Sequence, residues 1–419
     1  MVKYKTIDVT NGMAYPYSIG VNNNDQIVGS NYYYYPSGES HSRGFVKLGP
    51  VEDPSYVNLA GNPRSYIVSI NNHGVAVGHW YERSPNGNQT LHAFVWENGQ
   101  ITDLNPLIGA SWSQAADIND RGQIVGTAVF GPPVDQPEYE GHAFLYETNG
   151  GGITDLGVLS GLSTSAAAAL NEFGQVVGLS ADWNAHPYVM RPFLYTDGSL
   201  NELTGEQGAG FDINELGHVV GAKELGFSSN KQNHPFVWRD GDVEPIPLNG
   251  SPQAINNADQ VVGDAWTPAF RDYAFLFQGG HVTDLDTLAA GLLLPGATIT
   301  SARDINDKGH MLVEVLFQGL GFILLLEPDV EDLLKKVKRL VTLMVQILFG
   351  VTQDGGGLVL RGKVPVPIGP WGPLSIEQWE MTFERCSELL GDLVEDQSEL
   401  EKAHQELRRV IDEGIAGRG

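Results

Sequence analysis

Two stretches, Asp117-Ile118-Asn119-Asp120-Arg121-Gly122 and Asp304-Ile305-Asn306-Asp307-Lys308-Gly309, carry oxygen ligands at the spacing that opens a calcium loop, Asp-x-Asn-x-x-Gly. Such a loop surrounds a hard cation with carboxylate and carbonyl oxygens and closes on a bidentate Glu at its twelfth position. Here the fifth position is basic, Arg121 or Lys308, and the closing Glu is missing. The competing reading is a hairpin whose Asn side chain caps its own turn. We favour the hairpin and assign no metal and no cofactor. Asp117, Asp212 and Asp304 recur at one place in the pattern. They are candidates for a shared cation or polar-ligand site, with backbone hydrogen bonds at the turn as the plainer use. His92, His142 and His234 are of ligand type but lie in separate repeats and read as structural. The chain has no His-Glu-x-x-His, no Gly-x-Ser-x-Gly and no dinucleotide-binding Gly pattern after a strand. No catalytic residue is assigned, although a site assembled from separate repeats would leave no linear motif.

The residues just named belong to a repeat. Asn-x-x-Gly-x-x-Val-Gly recurs with its Asn at Asn22, Asn71, Asn119, Asn171, Asn214, Asn256 and Asn306, at intervals of 42 to 52 residues. Asp25 and Asp259 replace the turn Gly in the first and sixth copies, and Val313 replaces the closing Gly in the seventh. A second signature follows in each copy, as in His92-Ala93-Phe94, and its Phe is present in all seven. A third is Ile101-Thr102-Asp103-Leu104 and its relatives. Periods in the forties filled with short apolar runs mean one small sheet repeated many times. Each copy predicts four strands, here called a to d. Strand a ends at the Asn, strand b is the Val-Gly run, strand c carries the Phe, and strand d is Ile-Thr-Asp-Leu. The a–b turn needs Gly for a bulged hairpin, and Asn98-Gly99, Asp197-Gly198, Asp240-Gly241 and Gly279-Gly280 are two-residue c–d hairpin signals.

Four antiparallel strands per repeat make a β-propeller blade. The last repeat ends at Pro328 without a strand d, and the chain opens on Thr6-Ile7-Asp8-Val9, a strand d with no blade before it. Pairing the two gives an all-β, seven-bladed β-propeller over 1–328, closed by the N-terminal strand, which also removes an exposed sheet edge. The repeated Asp8, Asp103, Asp155 and Asp284 on strand d predict blade-to-blade hydrogen bonds. The His-Ala-Phe triplet beside the Asn-x-x-Gly-x-x-Val-Gly run resembles the HAF-repeat family of bacterial proteins, over about residues 4–328. The resemblance implies an often extracellular repeat protein with no settled activity, and it brings no catalytic residues. Arg, Pro-flanked Arg, Tyr or Leu at the His position in several copies argues against a shared functional His.

Composition narrows the partners. Lys+Arg number 25 against 51 Asp+Glu, a net charge of −26, which argues against nucleic acid because a binder needs a basic footprint. One cysteine, Cys386, rules out a disulfide within the chain and a Cys-rich zinc site. The sequence as given has no apolar leader and is expected to be cytoplasmic; the family resemblance implies secretion instead.

The a–b and c–d turns fall on one face of a propeller, and the b–c and d–a loops on the other. The first face has tight turns. The second carries long loops, such as Asn31 to His41 and His79 to Leu91, that are rich in aromatics. Aromatics on loops over a rigid scaffold are what binding faces use. Tyr33, Trp80, Tyr81, Trp183, Tyr188 and Trp266 are the candidate ligand-binding residues, for a protein or a glycan, with folding over the blade ends as their plain alternative. The expected function is non-catalytic binding through that face. A lectin-like propeller and a propeller lyase or hydrolase with a channel-mouth site are the alternatives.

The remainder, 329–419, is expected to be an α-helical tail. Asp329 to Phe349 predicts an amphipathic helix with Lys335, Lys336, Lys338 and Arg339 near its middle. It suits packing or, less well, contact of 329–350 with a membrane surface. A Gly- and Pro-rich segment, 354–374, leads to a second helix that starts at Ser375 with a capping box. Trp379, Cys386, Leu393, Leu400 and Leu407 hold one heptad position there, which suits a partner helix or a homo-oligomer through 375–413. Replacing Leu393 and Leu400 with Asp is expected to reduce helical circular dichroism or dissociate an oligomer seen by light scattering, leaving the β signal intact. No change in either signal would show that the seam is unpacked.

Overall fold

The computed structural model describes 4–328, apart from 10–15, 35–39, 58–63, 84–88, 132–139, 186–187, 224–232, 268–271 and positions 51, 291 and 319, together with 351–354 and 357–360. Tyr4–Pro328 is one compact unit. It consists of seven four-stranded antiparallel sheets. Blade 1 runs Pro16–Val21, Ile27–Tyr34, Ser40–Lys47 and Ser55–Tyr56. Blades 2 to 6 repeat the same up-and-down order, with strand a at Ser65–Ile70, Ala110–Ile118, Thr164–Leu170, Gly208–Ile213 and Gly250–Ile255. Blade 7 takes Thr298–Ile305, Met311–Phe317 and Leu320–Pro328 from the end of the repeats and Tyr4–Asp8 from the start of the chain. Tyr4 lies opposite Pro328 and Asp8 opposite Leu324, so the expected closure is present in the register itself.

The repeated residues have separate jobs. The motif Phe in the first six copies (Phe45, Phe94, Phe144, Phe193, Phe236 and Phe275) is at most 1% exposed, and its neighbours in the apolar clusters come from the adjoining blade as well as its own. The core is therefore a set of blade-to-blade layers, each closed by alternating residues of strands b and c. In every blade strand a carries a register shift against strand b, for example between Ala115 and Asp117 and between Gly210 and Asp212. A bulge pushes a carbonyl toward strand b. That contact explains the second motif Gly: a Cβ on Gly78 would stand 1.9 Å from the Tyr66 carbonyl oxygen, and one on Gly126 would stand 2.1 Å from that of Gln114. Blade 7, with Val313 at this place, carries an extra shift between Ile299 and Ser301. The c–d turns have the doubly positive φ of a two-residue hairpin, as at Asn98 (49°) and Gly99 (82°).

Two four-residue helices, Asn105–Ile108 and Leu285–Leu288, leave strand d of blades 2 and 6; nothing in the repeat pattern announces them. In the tail, Val351–Asp354 pairs with Gly357–Leu360 as a hairpin, within a segment read from sequence as mainly connecting chain. The expected helices at 329–349 and from Ser375 lie outside the described residues.

The N-terminal strand covers an edge that is otherwise open along Leu324–Pro328. Deleting residues 1–10 is therefore expected to lower the melting temperature of the whole ring and to promote aggregation through that edge. Unchanged melting without aggregation would refute closure as a source of stability.

Candidate functional site

Seven innermost strands meet around a central channel, and the motif Asn residues form a closed belt across it. The side-chain amide of Asn22 donates to the backbone carbonyl of Asn71 (2.8 Å), Asn71 to Asn119 (3.0 Å), Asn119 to Asn171 (3.0 Å) and Asn171 to Asn214 (3.1 Å). Asn214 continues to Asn256 (3.0 Å), Asn256 to Asn306 (3.0 Å), and Asn306 returns to Asn22 (2.9 Å). The other end of each amide caps its own turn: Asn119 Oδ1 accepts from the backbone N–H of Arg121 and of Gln123. This is the hairpin use of the calcium-like motif. The oxygens accept from backbone N–H groups and from side-chain donors such as Ser69 and Asn72, and among the described residues no three His, Cys, Asp or Glu come together to hold a metal.

A second belt lies one residue on. The N–H of Asn23 donates to Asn72 Oδ1, Asn72 to Asp120, Asp120 to Glu172, Glu172 to Glu215, Glu215 to Asn257, Asn257 to Asp307, and Asp307 back to Asn23. Both belts line a cavity of about 180 Å³ at the channel end on the tight-turn face.

Asp117, Asp212 and Asp304 stand in blades 3, 5 and 7, and the structure gives all three one role. One oxygen accepts from the next N–H of its own strand (2.8 Å in each case). The other crosses to the following blade and accepts from Leu170 (3.0 Å), Ile255 (2.8 Å) or Val21 (2.7 Å). The equivalent positions in the receiving blades are Ala169, Ala254 and Gly20, small enough to admit the carboxylate. Burial pushes the Asp117 and Asp304 carboxyls up to about 6, against the pull of their hydrogen bonds, and raises Asp212 well above its usual range.

The departures from the motif pair up across blades. Where a blade has Gln four residues after the belt Asn, the next blade has the turn Gly beside it, as with Gln26 and Gly74. Where a blade has His there, the next has Asp. His218 meets Asp259 at 2.8 Å, and His310 meets Asp25 at 2.8 Å. Burial would raise the Asp25 carboxyl, but the hydrogen bond and charge of His310, and then Lys308, hold it below its ordinary value. These contacts support two non-glycine residues at φ of 60° and 56°. Strands c and d trade partners in the same way: His92 with Asp103 (3.0 Å), His142 with Asp155 (3.0 Å), Arg191 with Glu202 (3.1 Å).

Two of the strand-d carboxylates depart from expectation. Asp103 and Asp155 bind His92 and His142 of their own blade and cap the next turn through the N–H of Asn105 and of Gly157. Asp284 caps Asp286 N–H. A crossing bond is made by Asp286, which accepts from Ile299 in blade 7. Strand d is the outermost strand, and these carboxylates lie within reach of their own strand c.

The described aromatic candidates have different surroundings. Trp80 packs in the layer between blades 1 and 2, stacked on His92 with centroids 5.1 Å apart. Tyr81 edges against Tyr66 (6.1 Å) and His79 (6.2 Å) near the channel. Trp266 ends strand b of blade 6 opposite Asp272. Trp183 meets Tyr188 edge-on at 6.2 Å, and Tyr188 is 43% exposed. Tyr33 pairs with His41 in strand b of blade 1, and its side chain lies outside the described residues, as does most of the long-loop face.

Two groups near the channel escaped the sequence reading. Asp264, Ser301, Arg303 and Glu314 cluster between blades 6 and 7. Ser301 donates to Asp264 (2.6 Å), and Arg303 grips Glu314 with two nitrogens (3.2 Å each). Burial raises the Asp264 carboxyl. His79 is buried, stacked on Tyr66 (5.2 Å), and burial lowers it to about 4. Its Nδ1 has no hydrogen-bond partner. The available signal was charge: Arg303 is the one charged residue at its place among the seven copies, and His79, Asp264 and Glu314 stand where the other copies have Ser30, Thr127, Leu179 and Ala222.

No protein-family model matches the sequence, and no curated protein matches it. Solved structures do match in shape. The β-propeller domain of the Trilobed protease from Pyrococcus furiosus is 8% identical over 76% of this chain and 94% of its own, with a TM-score of 0.53. An acylaminoacyl peptidase in complex with Z-Gly-Gly-Phe-chloromethyl ketone is 11% identical over 76% of this chain and 52% of its own, with a TM-score of 0.48. This chain thus spans about half the length of that peptidase. At such identities the likeness concerns the propeller fold alone.

The buried carboxylates make a pH prediction. A carboxyl raised from 3.8 to about 6 in the fold contributes stability that is fully present below 3.8 and lost as pH rises through 6. Asp304→Asn is expected to lose some stability at every pH through imperfect acceptance from Val21. Its deficit against wild type should shrink between pH 4 and 6.5 by on the order of 2–3 kcal/mol. His79 acts in the opposite sense, costing stability as pH falls toward 4, but it is common to both proteins and cancels. A deficit constant with pH, measured by denaturant titration, would contradict the raised carboxyl.

Proposed function

We propose that the propeller is a non-catalytic binding module that holds a protein or glycan on its long-loop face, with 329–419 as a helical segment for docking or assembly. Trp183 and Tyr188 carry this reading. They pair edge-on where blade 4 leaves strand b, and Tyr188 keeps 43% of its surface exposed on a scaffold locked by two hydrogen-bonded belts. Rigid aromatic side chains supply contact area at little cost in ordering, and Trp and Tyr are the commonest binding anchors. The channel carboxylates Asp117, Asp212 and Asp304 support it from the other side, because their oxygens already accept backbone N–H groups.

A second reading, a propeller hydrolase, is favoured by one observation. Asp264, with its carboxyl raised by burial, lies beside Arg303 and Glu314 near the channel. A carboxyl raised by burial, with a second acidic side chain and a cation beside it, is raw material for acid–base chemistry.

A glycan array and a pull-down with the full chain decide between the ligand classes. For whichever ligand is found, Trp183→Ala with Tyr188→Ala is expected to weaken binding at least about tenfold with little change in melting. Trp80→Ala is expected to lower melting instead, because Trp80 fills the layer between blades 1 and 2. Undiminished binding by the Trp183/Tyr188 variant, together with loss of a hydrolytic activity in Asp264→Asn, would favour the second reading.

A further inference from the structure

The seven blades serve as one another's controls on the tight-turn face. Two residues past the belt Asn, the a–b turn carries Asn24, His73, Arg121, Ala258 and Lys308 in five blades, so the turn itself has no need of a large apolar side chain. Blades 4 and 5 depart from this. Phe173 and Leu216 occupy the position there, 69% and 59% exposed. Burying a side chain of that size stabilises by about 1.5–3 kcal/mol, so two adjacent ones left in water mark a surface suited to being covered. They do not merely lie side by side. With Gln175, Thr196, Asp197 and Glu215 they wall a groove of about 440 Å³ between the two blades.

The charge around the groove is as uneven as its apolarity. One residue past the belt Asn, the second belt is Asn in blades 1, 2 and 6 and acidic in blades 3, 4, 5 and 7. Asp120, Glu172 and Glu215 therefore form an unbroken acidic arc that runs to the groove. Burial first, and then the nearby charges of Glu172, Asp307 and Asp120, raise the Glu215 carboxyl. A cation placed there would relieve that crowding.

We propose that this groove docks a basic, amphipathic peptide segment of a partner protein. One large apolar side chain enters between Phe173 and Leu216, and Lys or Arg side chains lie against Glu172, Glu215 and Asp197. Apolar anchors fix the peptide and the acidic arc sets its charge preference, a division between affinity and selectivity. The site is separate from the long-loop face, since a–b turns and b–c loops lie at opposite ends of strand b.

The test uses the full chain and two labelled peptides of identical pattern, one alternating Leu with Lys and one alternating Leu with Glu, read by fluorescence anisotropy. The Leu/Lys peptide is expected to bind and the Leu/Glu peptide to bind at least tenfold more weakly. Phe173→Asn with Leu216→Asn places at both sites the residue that blade 1 carries at Asn24. It is expected to lower affinity at least tenfold without changing melting. Glu215→Gln keeps an acceptor for Glu172 N–H and is expected to lower affinity and flatten the salt dependence. Trp183→Ala is expected to leave this binding unchanged, which separates the site from the long-loop face. No binding of the Leu/Lys peptide, equal binding of both peptides, or wild-type affinity in the Phe173/Leu216 variant would overturn the proposal.

Discussion

A single hydrogen bond, side-chain amide to backbone carbonyl, is made seven times around the channel and closes on itself. Its last link joins Asn306 to Asn22, residues 284 apart in the chain. Because each Asn also caps its own a–b turn, the same side chain fixes the hairpin within a blade and the distance to the next. Each belt Asn is nearly or fully buried, so losing one would strand a carbonyl away from water as well as release a turn; an unmet buried group costs about 1–3 kcal/mol. The bulge in strand a follows from this arrangement. It turns the end of strand a to present the Asn, and it presses the carbonyl against strand b that only Gly accommodates in the regular blades.

Around that constraint the repeats vary in pairs. Gln with Gly becomes His with Asp at two blade junctions, and His with Asp becomes Arg with Glu between strands c and d of blade 4. Each exchange keeps a hydrogen bond or an ion pair at its place. Residues that look like chemistry in one copy, a His near an Asp, are thus interchangeable with residues that do none. The three channel aspartates fit the same logic: they alternate with Ala or Gly in the receiving blades, each spans the junction to the following blade, and Asp117 also accepts from Ser69 of the preceding one.

The architecture was legible because the fold repeats. Seven copies of Asn-x-x-Gly-x-x-Val-Gly fix the blade count, the Phe of each copy marks strand c, and an orphan strand d at the N-terminus tells where the ring closes. What the sequence hid were contacts between copies. Asp259 looks like a broken turn until His218, 41 residues earlier, is seen beside it. The strand-d aspartates looked like links between blades because they repeat, but repetition reports a shared environment and does not say which neighbour is met. Trp80 looked like a loop aromatic because it follows strand b in the motif. The strand runs on to Arg83, and period-two alternation turns Trp80 inward with Ala76.

The same redundancy is what makes the surface informative. A ring held by two belts and seven packed layers tolerates varied residues at its exposed turn positions, so a departure in residue type there reports other pressures. At most turns those types are polar and interchangeable. In blades 4 and 5 they are large and apolar at one position and acidic at the position before it. The long-loop face departs from the repeat by length and aromatic content, whereas the tight-turn face departs by residue type at fixed geometry. The second kind of departure is the easier one to interpret, because five unaltered copies show what the fold alone requires.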